Sequence, residues 1–327
     1  PYNHVQRPDE KWNAGAFINY EINEHFDVYM EIMYMNNYTD AQIAPSGDFW
    51  DTDFINCDNP MMSDQQHDLI CVQNGYADDE YANLGVLRRN VEGDPRSNAL
   101  GHTNVRILAG VRGDLGENWS YDFYYMKGQN NSFDAYENDL SIQRVTNALD
   151  VIEDPDTGEW VCRNDSANCV PWNIFTEGGV TQEAIDYIVT KYVQWGITSV
   201  QVFNLTLTSD WENYGIAVPS ATEGVQVAVG AEYREELLLK VTDEVYAQGG
   251  ATGQGGAQDQ IDGGYNVKEA FVEVLIPIIQ DTVGAQDLSL ELGYRYSDYS
   301  TSGGASTYKG QVSWAPTQSW RFRGGYN

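Results

Sequence analysis

Three groups of residues in this chain invite a chemical reading. Trp50, Asp51 and Asp53 sit in an acidic stretch whose acids and aromatics match the composition of a sugar site. Cleaving a glycosidic bond needs two carboxyl groups at a defined separation, and the spacing singles out no such pair. The sequence carries no Gly-x-Ser-x-Gly nucleophile turn and no metal-ligand motif. The second group is four cysteines in two close pairs, Cys57 with Cys71 and Cys162 with Cys169, each inside a Gly/Asn/Asp-rich stretch. Zinc wants tighter spacing, and His67 is the only histidine within either pair. Two loop-local disulfides are therefore the economical pairing, and they imply an oxidising compartment. The third group, Gly253-Gln-Gly-Gly256, lacks the strand before and the helix after that a phosphate loop requires. The chemistry indicated is binding, with no catalytic residue, metal or cofactor.

The more telling charges are those at every second position. Arg106 and Arg112 alternate with Val105, Ile107, Ala109 and Val111, and Glu291 and Arg295 alternate with Leu288, Leu290, Leu292, Tyr294 and Tyr296. Arg321 and Arg323 alternate with Trp320, Phe322 and Tyr326, while Glu31 and Asp122 fall between apolar neighbours in the same way. Such a strand has one polar and one apolar face. A charge at every second place is costly in a dry core but suits a wet or plugged barrel lumen. Ile107, Val111, Phe123, Leu290, Leu292 and Phe322 are then expected to face lipid. Glu31, Arg106, Arg112, Asp122, Glu291, Arg295, Arg321 and Arg323 are expected to face inward.

A soluble sandwich shows the same alternation; the connections separate the two. The pattern predicts ten strands in five hairpins, 14–22 with 26–37, 102–114 with 119–133, 199–210 with 223–240, 266–276 with 287–299, and 306–315 with 319–327. Short turns near 23–25, 115–118, 210–224, 277–286 and 316–318 alternate with long connections at 38–101, 134–198 and 241–265, and a brief one at 300–305. Short turns on one side and long loops on the other mark an all-β transmembrane barrel, with the loops outside. Tyr20, Phe26, Trp119, Trp211, Tyr214, Trp314 and Trp320 flank the short turns, where an interfacial girdle belongs. Thr181 followed by apolar residues at helical spacing predicts a short helix over 181–192. The Gly/Gln/Ala-rich 248–264 predicts a mobile loop.

Charge narrows the partners. A net charge of -31 excludes nucleic acid, which needs clustered Lys and Arg. Residues 40–99 hold 12 Asp and Glu against three Arg and no Lys; this acidic loop favours cations or basic ligands, or is simply kept soluble by its charge. A mean hydropathy of -0.48 is compatible with a barrel, because only alternate strand residues meet lipid.

Val267-Lys-Glu-Ala-Phe-Val-Glu-Val-Leu-Ile-Pro277, then 288–300, then 307–316 into Trp320-Arg-Phe-Arg-Gly-Gly325, form an ordered set that resembles the middle barrel strands of TonB-dependent outer-membrane receptors. Ala14–Asn23, Ile43-Ala-Pro-Ser-Gly47 and Cys169-Val-Pro-Trp-Asn-Ile-Phe175 are similar to strands and loops of a proteobacterial subgroup. The resemblance implies a barrel of about 22 strands around a plug, of which 1–327 would be an incomplete part. The chain opens at Pro1 without a secretory signal and stops at Asn327 in a strand. On this resemblance the N-terminal plug, the TonB box and the closing strands lie outside it.

The function implied is uptake of a scarce nutrient, a ferric siderophore, cobalamin or an oligosaccharide, across the bacterial outer membrane. Its partners are outer-membrane lipid, the receptor's own plug and the TonB complex. A passive porin or surface-binding barrel is the alternative; an upstream plug sequence separates the two. Ligand first meets the outer loops, so Trp50, Tyr76, Tyr81, Trp160 and Trp172 are candidate stacking contacts, unless they pack the loops themselves.

Overall fold

The computed structural model describes residues 2–164 and 168–327. Ten long strands form one antiparallel sheet in chain order. They are β1 (Asp9–Asn23), β2 (Phe26–Ile43), β3 (Arg96–Leu115), β4 (Trp119–Leu140), β5 (Val189–Asp210), β6 (Gln226–Thr242), β7 (Ile261–Thr282), β8 (Ala285–Tyr299), β9 (Gly303–Thr317) and β10 (Trp320–Tyr326). The five hairpins match the expected pairing, but most strands reach further toward the long loops than alternation alone predicts. The reason is length: β4 has 22 residues, whereas a barrel strand crosses a bilayer in about 9–11. Beyond that point both faces meet water or the loops, and the alternating signal fades while the hydrogen-bonded ladder continues.

The two faces differ in kind and in exposure. Val28, Val111 and Phe123 are cross-strand neighbours on one face, and Asp27, Arg112 and Asp122 on the other. Ile107 is 39% and Phe203 43% exposed, yet Leu108 and Val202 beside them on the opposite face are 8% and 6% exposed. No second layer covers the lower sheet among the described residues, so the difference comes from curvature: side chains crowd on the concave face and splay on the convex one. The concave face carries the charges.

On the convex face Tyr125, Phe203 and Tyr233 form an aromatic row, with ring centroids 4.7 and 6.4 Å apart. The next row toward the long loops is Lys127, Gln201 and Glu235. Aromatic then charged is how an apolar belt ends at a membrane surface. Trp119, Trp314 and Trp320 mark the other edge near the short turns. Pro277, expected to open a turn, lies inside β7 at a register shift between Pro277 and Ile279. A bulge tolerates its missing N–H. The turn comes later, at Val283 and Gly284, where Gly284 has φ 83° and lacks the Cβ that would resist it.

The apolar core sits in the long loops. Loop 1 (44–95) contains α1 (Asp64–Ile70), loop 2 (141–188) contains α2 (Ile142–Leu149) and α3 (Gln182–Ile188), and loop 3 (243–260) contains α4 (Glu244–Gln248). Ser63 caps α1 with a full capping box, and Ser141, Thr181 and Asp243 cap the others through their side chains. The Thr181 helix is shorter than expected. It stops at Ile188 because Val189 onward is drawn into β5. Ile55, Cys57, Cys71, Ala82 and Val86 of loop 1 pack with Val145, Ala148, Leu149, Trp172, Ala184 and Ile188 of loop 2 in one buried cluster. The two loops are a single plate.

Candidate functional site

Loop 1 and loop 3 meet at one side chain. Asp139 is fully buried at the top of β4. Its Oδ1 accepts from the Ser46 hydroxyl of loop 1, from Thr252 Oγ1 of loop 3 at 3.1 Å and from the Leu140 amide at 2.9 Å. Its Oδ2 accepts from Tyr192 Oη of β5 at 2.8 Å and from the Gly253 amide at 3.1 Å. Tyr192 stacks on Tyr136 at 5.0 Å and meets Tyr246 of α4 edge-on at 4.6 Å. Burial pushes the Tyr246 hydroxyl up to about 12. Loop 3 is therefore pinned at its middle: Ala251 is 2% exposed, and Thr252 and Gly253 are held by the carboxylate. The mobility expected of 248–264 from composition does not hold for this part, and Ile261 onward is strand. Small residues are what let the backbone come this close.

A second tie joins loops 1 and 2. Arg163 donates from Nη2 to Asp58 Oδ1 at 2.6 Å and from Nε to Asp150 Oδ1 at 3.0 Å. It lies over the Tyr81 ring at 5.8 Å, and Tyr81 Oη donates to Asp150 at 3.1 Å. Burial alone raises the Asp58 carboxyl, but the hydrogen bonds from Arg163 and Asn56 outweigh it and hold the group below its ordinary value. A depressed carboxylate contributes stability that is present above its unfolded pKa and lost as pH falls through the folded one. The plate is therefore expected to loosen below about pH 4. Fluorescence melts from pH 6 to pH 3 check this. Arg163→Gln should shrink the acid loss, and an unchanged acid slope in that variant would refute the assignment.

Both expected disulfides are present, Cys57 to Cys71 and Cys162 to Cys169, with no free cysteine among the described residues. Cys57 and Cys71 sit in the plate core at 2% and 0% exposure. Their 14-residue separation gives a loop-closure stabilisation of about 3 kcal/mol. Cys57→Ala paired with Cys71→Ala should lower the plate's melting temperature in calorimetry, and an unchanged melting temperature would refute that contribution.

The expected ligand-contact aromatics divide. Trp172 is fully buried, its amide bonded to Ala148 O at 2.9 Å and Arg88 over its ring at 5.4 Å. Tyr76 packs against the same core. Trp172 thus holds the plate together and is removed from the surface set. Trp50, Trp160 and Tyr81 are exposed by 66%, 47% and 43%. Trp50 has φ 82°, a conformation that is costly for a residue with a side chain. Its indole lies where a Cβ on Gly85 would come within 2.6 Å. Glycine at 85 is what lets the ring sit flat on the backbone and keep its other side exposed.

The concave face has its own order. Arg112 Nε bonds Asp27 Oδ2 at 2.9 Å, and Tyr29 donates to Asp122. Arg106 Nη1 bonds Glu31 Oε2 at 3.0 Å, and Arg295 bonds Glu269 at 3.3 Å while lying 4.8 Å over the Phe271 ring. Lys309 pairs with Glu291, and Arg321 with Asp287 at 2.7 Å. Arg323 has no such partner among the described residues. Ile107, Val111, Phe123, Leu290, Leu292 and Phe322 occupy the convex face. Alternation located the charged residues; their partners, including Lys309 and Glu269, follow only from register.

Paired charges on a curved sheet wall, an apolar belt on its back and a braced plate of loops above can bind and pass a ligand. Among the described residues there is no cluster of three or more metal-ligating side chains. No curated protein matches the chain. The family model described as TonB dependent receptor-like, beta-barrel, matches residues 62–327, and the chain belongs to that family of receptor barrels.

Proposed function

We propose that this chain forms part of the wall and outer vestibule of an outer-membrane receptor that takes up a scarce nutrient with energy delivered through TonB. The observation that carries the reading is the combination of a convex apolar belt with a concave wall of paired charges under one braced plate of loops. A belt of this kind suits lipid, and the inward polar groups suit a plug or a hydrated path. In the intact receptor a plug domain would sit against the concave face and couple to TonB. The nutrient classes consistent with family membership are a ferric siderophore, cobalamin or an oligosaccharide, captured first by the exposed Trp50, Tyr81 and Trp160.

Uptake assays test this. A strain deleted for the complete gene should lose uptake of one nutrient across iron-chelate, cobalamin and glycan sources, and deletion of TonB should reproduce that loss. Uptake that persists without TonB, with passive permeability lost instead, would favour a porin.

A further inference from the structure

The concave wall changes in kind with height. Its lower rows are charged and internally paired, as Arg112 with Asp27 and Arg106 with Glu31 show. One row above Arg106 the register sets Asn13, Met35, Asn104, Asn130 and Thr198 side by side across β1 to β5. The row above that is Lys11, Asn37, His102 and Ser132. Neither row contains a carboxylate. Asn13, Asn104 and Thr198 have no side-chain hydrogen-bond partner among the described residues, and the Asn130 carbonyl oxygen is shielded from solvent with none. A shielded amide oxygen is nearly always bonded to something. Asn13, Asn104, Asn130 and Thr198 line a groove of about 960 Å³ with Arg106, Glu236 and Tyr265, the upper end of the range for small-molecule sites.

We infer that this amide row is a contact surface for an uncharged, hydroxyl-rich ligand, a neutral oligosaccharide. An amide offers both donors and an acceptor in one plane and so matches hydroxyl groups, which do the same. Met35 and Tyr265 beside it supply apolar area for the C–H face of a sugar ring. Charge argues against an anionic ligand. The chain carries -31 overall, and residues 40–99, which include loop 1, have only three Arg. All three are committed: Arg88 to Glu92 at 2.6 Å, Arg89 to the Pro45 carbonyl and Arg96 to the Ala44 carbonyl at 3.0 Å. A carboxylate- or catecholate-rich chelate would enter against this field, and that stretch offers it no free guanidinium.

The inference rests on the receptor reading and narrows its ligand class. The test uses the complete receptor, purified from outer membranes, with four probes: neutral maltohexaose, xylohexaose and laminarihexaose, and anionic hexagalacturonate. At least one neutral hexasaccharide should bind by calorimetry below about 1 mM, and hexagalacturonate should not. Asn104→Leu with Asn130→Leu should weaken that binding by about tenfold or more, the loss of one or two hydrogen bonds. Preference for hexagalacturonate, or no binding of any neutral probe, overturns the inference. Unchanged affinity in the double variant with a lowered melting temperature also overturns it, because the amides then serve the receptor's own plug. The receptor reading fails separately, if uptake in cells does not depend on TonB.

Discussion

Replacing Asp139 with alanine is expected to release loops 1 and 3 at once. The carboxylate accepts from Ser46, Leu140, Tyr192, Thr252 and Gly253, and the Ser46, Leu140 and Tyr192 donors would be left inside a buried site. A stranded buried donor costs about 1–3 kcal/mol. Water entering the vacated space offsets part of that, which leaves a net loss of about 3–5 kcal/mol, the size found when a buried charged group loses its counterpart. The strands below have their own ladder of backbone bonds, so the loss should be local. Hydrogen exchange should rise in peptides from 44–56 and 243–260, while peptides from the lower halves of β3 and β4 stay protected. Asp139→Asn tests the chemistry more finely. It keeps the shape but turns one acceptor into a donor facing other donors, so it should recover little. Wild-type exchange in loops 1 and 3 of the alanine variant would show that the shared apolar core, not the carboxylate, braces the plate.

This node also shows where sequence reasoning stops. The barrel wall was readable because strand period two is a local property: Arg106 and Ile107 announce opposite faces from adjacent positions. The disulfides were readable because their partners are near in sequence. Asp139 draws its partners from 93, 53 and 113 residues away, and no local pattern marks an aspartate at the end of a strand as the meeting point of two loops. Trp172 and Trp50 look alike in composition, yet one is the largest buried side chain of the plate and the other is its most exposed tryptophan. Telling them apart needs the packing of loop 1 on loop 2. The amide row was hidden for a related reason. Asn13, Asn104 and Asn130 become neighbours only through the registers of two hairpins and of the β2–β3 pairing between them, and single asparagines in strands attract no notice.

An arginine at Leu292 is expected to be among the most damaging single changes in the wall. Leu292 lies on the convex face of β8, with Val274 and Gly310 as its cross-strand neighbours, and is 44% exposed. Along the same face Leu288 pairs with Trp314, at the edge near the short turn, while Tyr294 pairs with Tyr308, their rings 5.1 Å apart. Leu292 therefore falls between the two aromatic margins of the belt, near the middle of the hydrocarbon layer. A guanidinium there cannot reach either interface without bending its stem, and the cost for barrels is about 2–4 kcal/mol at midplane. Gln311→Arg is the control, since Gln311 stands on the concave face one strand away and already reaches Glu291 at 3.4 Å. Urea unfolding of the complete receptor in phospholipid vesicles should show a lowered midpoint for Leu292→Arg and little change for Gln311→Arg. If the two changed places, the face assignment would be inverted along the whole of β8 and β9, because a one-residue slip turns every side chain over.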